Sequence, residues 1–116
     1  MFLPAPDESL WVGVLRLGLV VPGSRSLKDK RRAVSQIRDR LRARHNLSVA
    51  EIGHLDSPIR AVMGVSMVAN DARFLRSALD ALRADIQSWS VALVEEADIV
   101  IHRGLDSDAD EVDRHG

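Results

Sequence analysis

Between Leu10 and Val21, LWVGVLRLGLVV, apolar residues hold almost every position and stop at Pro22-Gly23, which is how a strand closing in a turn reads. Ser26 follows, and behind it Leu27, Val34, Ile37 and Leu41 share one face of a helix of about five turns. Asp29 stands at the third position after Ser26, like the acid of a capping box, and the helix is expected to end near His45-Asn46. Leu47–His54 and Ile59–Ala69 are strand-like runs joined through LDSP, a hairpin. Asn70-Asp71 supplies the cap of a second helix, on which Leu75, Ala78, Leu79, Leu82, Ile86 and Trp89 recur at helical spacing. Val91 to Ile101 forms the last strand.

The order is βαββαβ, predicting an α+β fold: a ferredoxin-like sandwich whose four-stranded antiparallel sheet carries both helices on one face. Residues 1–9 read as a variable extension, 10–101 as the domain, and 102–116 as an acidic tail too poor in apolar residues to pack, expected to be disordered. At 116 residues the chain is one domain with room for a real core.

Alternation within the strands separates their two faces. In the third strand Ile59, Ala61, Met63, Val65, Met67 and Ala69 are expected under the helices, as are Trp11, Leu15, Leu17, Leu19 and Val21 in the first. The opposite faces hold Val12, Val14, Val20, Val62 and Val68, together with Arg16, Gly18, Arg60, Gly64 and Ser66. An uncovered valine patch marks an interface, so a homo-oligomer through the open sheet face is expected unless a terminal segment covers it.

The whole-chain charge of −1 conceals a segregation. Arg25–Arg44 holds nine cations against Asp29 and Asp39, a local charge of +7, whereas Glu95–Gly116 holds eight acids against Arg103 and Arg114, or −6. Stepping about 100° per residue places the cations of the first helix on its exposed side. Arg25, Lys28, Arg31, Arg32, Arg38 and Arg42 are therefore the candidate nucleic-acid contacts, because clustered cations release counterions from a phosphate backbone. The alternative is a solvated charged face. Gly23, Ser24, Arg25 and Ser26 form a second candidate, an anion site at a helix N-terminus. The phosphate-loop pattern GxxxxGK[ST] is missing, so a simple turn capped by Ser26 competes with it.

Catalytic readings are thin. Glu51, His54 and Asp56 make the one cluster with metal or acid–base character, yet positions 51 and 54 face opposite sides of a regular strand unless Gly53 introduces a bulge. Arg25 with Asn46 or Asn70 is the remaining pairing, of an acylphosphatase-like kind, without the glycine-rich loop that such a site needs. No enzyme, cofactor or metal is expected. The third strand has no aromatic residue and the first only Trp11, on its core side, so base stacking on the sheet is disfavoured. Cysteine is absent, the N-terminus lacks a basic signal region, and no apolar run approaches about 18 residues, which reads as a soluble cytoplasmic protein without a membrane partner.

The elements PGSRSLKDKRR, RHNLSVAE, VSMVAND and LDALRADIQSW, spread over residues 11–95, resemble the domain-of-unknown-function 503 family, the YlxP-like bacterial proteins. The resemblance implies a ferredoxin-like fold, genes commonly beside translation initiation factor 2 and ribosome-binding factor A, and no established activity. Residues and resemblance together lead to the expectation of a non-enzymatic accessory protein that meets RNA or a ribosomal subunit through the first helix. The alternative is a homo-oligomeric module sensing a small anion or other ligand.

Overall fold

The computed structural model describes residues 8–104. Its elements are β1 (Trp11–Val20), α1 (Leu27–Arg44), β2 (Ser48–Gly53), β3 (Arg60–Ala69), α2 (Ala72–Ser88) and β4 (Leu93–Arg103). The sheet order is β2-β3-β1-β4 with every neighbouring pair antiparallel, the ferredoxin-like arrangement. Residues 1–7 and 105–116, most of the expected extension and tail, lie outside the described residues.

The period-2 pattern sorts the strands as their sequences imply. Leu15, Leu17, Leu19 and Val21 pack with Ala61, Met63 and Val65 beneath Val34, Ile37 and Leu41 of α1 and Leu79, Leu82 and Ile86 of α2. Gly13 shares that face because α2 passes close. A Cβ there would lie 2.7 Å from Leu79 Cδ1 and 3.1 Å from Ile101 Cδ1. Ile59 departs from the pattern: it precedes β3, its carbonyl accepting from Val21 N at 2.7 Å, and its side chain is exposed. β4 runs past Ile101 through His102 and Arg103, because Trp11 pairs with Arg103 in register and the Arg103 guanidinium lies 4.9 Å over the Trp11 ring.

Capping sets the helix ends. Ser26 Oγ accepts from Asp29 N at 3.1 Å, and the Asp29 carboxylate accepts from Arg25 N at 3.1 Å, one residue earlier than in a capping box. Asp71 Oδ1 accepts from Arg73 N and Phe74 N to open α2.

Lys30 is the residue that the charge pattern conceals. Counted within a basic run, it instead lies at 0% exposure on the apolar face of α1, in line with Ala33, Val34, Ile37 and Leu41. Its Nζ donates to His54 O at 2.9 Å and Leu55 O at 3.4 Å and stands 2.8 Å from Glu51 Oε2. The last contact is an ion pair outside hydrogen-bonding angles, since Glu51 Oε2 is buried with no hydrogen-bond partner. A register shift between Glu51 and Gly53 makes it possible: Ile52 is the extra residue, so Glu51 stays opposite Met63 on the helix side. His54 adopts φ 55°, a left-handed conformation that is costly for a side-chain-bearing residue, and its carbonyl receives the ammonium.

A desolvated ammonium costs several kcal/mol unless acceptors surround it, and removing one member of such a pair strands the other. Lys30→Met is therefore expected to lower unfolding free energy by about 3 kcal/mol in urea titrations, with Lys30→Met/Glu51→Leu recovering most of the loss. A single-variant loss below about 1 kcal/mol would show that the ammonium does not tie helix to hairpin.

Candidate nucleic-acid interface

The cations of α1 divide into two groups. Arg25, Lys28, Arg31 and Arg32, at the start of the helix, are exposed and have no ion-pair partner among the described residues. Lys28 and Arg32 are one turn apart, opposite Lys30, with Arg31 on their flank and Asp29 as the neighbouring acid. Further along, the fold engages each cation. Arg38 Nη2 donates to Ser35 Oγ at 3.0 Å, while its Nε is buried without a hydrogen bond and 3.8 Å from Asp39 Oδ1. Arg42 Nη2 donates to Val49 O at 3.4 Å.

Arg40 and Arg44 place their guanidinium carbons 5.2 and 5.7 Å from the Trp89 ring centroid, at the far end of α2. Each such contact stabilises by roughly 0.5–1 kcal/mol at exposed sites, so Trp89 bridges the two helices through cations rather than through apolar packing alone. Of the six candidate contacts, four thus form a free cluster, and Arg38 and Arg42 stand apart from it, occupied by local acceptors.

Donors of the Gly23–Ser26 loop are committed to neighbouring segments, Ser24 N to Val21 O and Arg25 N to the Asp29 carboxylate. Gly23 has φ 78°, which only glycine adopts without strain, and Ser24 Oγ lies 2.5 Å from Pro58 O, to which it donates. Ser26 Oγ caps Asp29, and Asp29 brings a carboxylate to Arg25 N, near where a bound anion would sit. A second negative group there meets that carboxylate first.

The open sheet face is less uniform than its valines imply. Val62 is 8% exposed, with Gly53 packed close above it, whereas Val68 is 65% exposed and Val12, Val14 and Val20 are half-buried. Val62 is therefore the member of the expected interface that the fold itself covers. Ile52, displaced by its bulge, lies over Gly64, and exposed Val100 stands opposite Val14.

The other half of the face is ionic, and β4 supplies its acids. Arg16 Nη1 reaches Glu96 Oε2 at 3.0 Å and Asp98 Oδ2 at 3.4 Å, and Arg60 Nη1 reaches Glu95 Oε1 at 2.7 Å. The register shift between Gly18 and Leu19 lets consecutive glutamates both face arginines. The Glu96 hydrogen bond, opposed by desolvation, holds the Arg16 guanidinium above its already high value. Glu95, Glu96 and Asp98 had counted toward an acidic C-terminal segment, but they belong to the sheet.

No catalytic grouping assembles from the sequence candidates. Glu51 turns to Lys30, away from His54 and Asp56, and among the described residues no group of three or more His, Asp or Glu side chains is placed to hold a metal. Arg25 and Asn46 flank opposite ends of α1, an 18-residue helix roughly 27 Å long. Asn70, beyond the end of β3, lies at Asn46's end of the fold. No helix among the described residues is long and apolar enough to cross a membrane.

No curated protein matches the sequence. Among solved structures, the chain is similar to the de novo designed protein Foldit4, with TM-score 0.45 and 11% identity over 84% of this chain and 98% of that one. It is also similar to a C-terminal segment of the alpha subunit of aIF2 from Pyrococcus abyssi, at 0.42 and 15% over 84% and 52% of the two chains. A third is SnoaB, a cofactor-independent oxygenase from Streptomyces nogalater, at 0.42 and 7% over 88% and 99%. At those scores none of the three bears on function. The family model described as protein of unknown function DUF503 matches residues 12–99, and the chain belongs to that family.

Proposed function

We propose that this domain is a non-enzymatic accessory protein that docks on the phosphate backbone of a structured RNA, such as that of a ribosomal subunit, through Arg25, Lys28, Arg31 and Arg32. One observation carries the reading: these four cations stand exposed on the opening turns of α1 and its approach, without carboxylate partners among the described residues, while the remaining cations of the helix are engaged by the fold. Unpaired clustered cations give sequence-independent affinity by displacing counterions. The sheet is poorly suited to the task, because its open face shows no aromatic for base stacking and sets Glu95, Glu96 and Asp98 against Arg16 and Arg60. Small-anion sensing at Gly23–Ser26 takes second place, since Asp29 already engages that helix start.

The open face is assigned to a second copy of the chain. Its apolar half (Val12, Val14, Val68 and Val100) and its mixed-sign half let one surface meet itself across a twofold axis, like against like in the first and opposite charges in the second.

Binding of a duplex-containing RNA is expected to fall with salt at a log–log slope of about −3 to −4, as for up to four neutralised phosphates. Arg31→Glu/Arg32→Glu should abolish it, while Arg38→Ala/Arg42→Ala should change affinity by less than about threefold because those side chains are engaged locally. Absence of binding by the intact protein at about 50 mM salt would refute the reading. For the oligomer, sedimentation should give a dimer that Val68→Glu converts to monomer with thermal midpoint little changed, surface substitutions being worth about ±0.5 kcal/mol. A monomeric parent protein would remove the twofold assignment.

A further inference from the structure

The tip of the β2–β3 hairpin is fastened through its backbone. His54 O accepts from Ser57 N at 3.0 Å and from Lys30 Nζ, which also reaches Leu55 O. Pro58 O accepts from Ser24 Oγ, and Ile59 O accepts from Val21 N. Within the turn, Ser57 Oγ accepts from Arg60 N at 2.9 Å and Ile59 N at 3.3 Å. So many ties let the tip hold His54 at φ 55°, a conformation that persists only where its surroundings over-determine it.

None of this fastening uses the side chains at the crest. His54, Leu55 and Asp56 are exposed, Leu55 at 55%, and neither the His54 imidazole nor the Asp56 carboxylate has a hydrogen bond or ion pair among the described residues. A lone exposed leucine is ordinary on a protein surface. A rigid turn that presents an imidazole and a leucine beside four free cations is less so, because its ordering is complete before any partner arrives and contact there keeps its full affinity. Ser24 and Lys30 anchor the tip next to Arg25 and the opening turns of α1.

The two side chains widen what that surface can recognise. Phosphate gains nothing from a leucine, whereas an unpaired nucleotide offers the flat face of its base. Histidine is among the side chains on which splayed-out bases stack, and leucine among those that wedge against base steps. His54 also borders a recess of about 100 Å³. Arg60 and Glu95, both half-exposed, line the same recess, so groups that donate to and accept from a base edge stand beside it.

We infer that the RNA element selected is an unpaired nucleotide, in a bulge or beside a duplex end, laid on His54 and Leu55 while the flanking phosphates lie on Arg25, Lys28, Arg31 and Arg32. This rests on the proposed RNA contact of α1 and specifies what it selects.

The test titrates the full chain with three RNA stems: one fully paired, one with a single bulged nucleotide, and one whose bulged residue is abasic. The bulged stem is expected to bind about tenfold more tightly than the paired one, as a single stacked base can provide. Its salt slope should match, because the added contact is apolar and releases no further counterions. The abasic stem should fall back to the affinity of the paired stem. His54→Asn/Leu55→Ser should erase the preference for the bulge in the same way. Asparagine accepts the left-handed backbone, and neither change alters the carbonyls that receive Lys30. Equal binding of all three stems by the intact protein would overturn the inference and leave RNA docking standing, whereas binding of none would remove both. A preference that survives the abasic residue or the double substitution would also overturn it.

Discussion

A single buried ammonium orients the first helix. Lys30 enters the interior between α1 and the β2–β3 hairpin, and only the Glu51 carboxylate with two hairpin carbonyls makes that position tenable. Because a helix turns by about 100° per residue, fixing Lys30 inward fixes its neighbours as well. Lys28 and Arg32 point away from the sheet, and Arg31 lies on the flank. The same contact holds His54 in its left-handed conformation and so shapes the hairpin tip beside the basic cluster. The interaction that buries one cation thereby presents the others.

Charge elsewhere is partitioned by the same logic of local satisfaction. The acids of β4 neutralise Arg16 and Arg60 on the sheet, the cations late in α1 turn to Ser35, Val49 and Trp89, and Asp29 serves the helix start. Among the described residues, the cations left without a carboxylate partner include Arg25, Lys28, Arg31 and Arg32 at the start of α1, and Arg73 and Arg76 on the opening turns of α2. A chain with a net charge of −1 thus presents a separate cationic surface at the start of α1. In the proposed reading the cluster on α1 takes a nucleic-acid backbone.

Most of the fold was legible because periodicity reports which side of an element is buried, and β1, β3 and both helices have clean periods. Ser26 and Asp71 announced the helix starts through capping chemistry. The bulges were harder: Gly53 hinted at one, but nothing in LVEEAD marks the offset that sends Glu95 and Glu96 to the same face. Lys30 escaped because KDKRR reads as uniformly solvated, although its spacing to Ala33, Val34 and Ile37 placed it on the buried stripe. Val62 and Val68 look alike in sequence yet are 8% and 65% exposed, since what shields Val62 is the neighbouring strand's close-packed Gly53, a tertiary fact.

The most direct measurement is a residue-resolved NMR titration of the intact protein with a short RNA hairpin. With Lys30 orienting α1 and the free cations docking on phosphate, shifts should cluster at Arg25–Arg32 and the adjoining His54–Leu55, and fade together as salt rises. Shifts centred on the open sheet, around Val14, Gly64 and Val100, would contradict the central claim and place recognition on the opposite face of the domain.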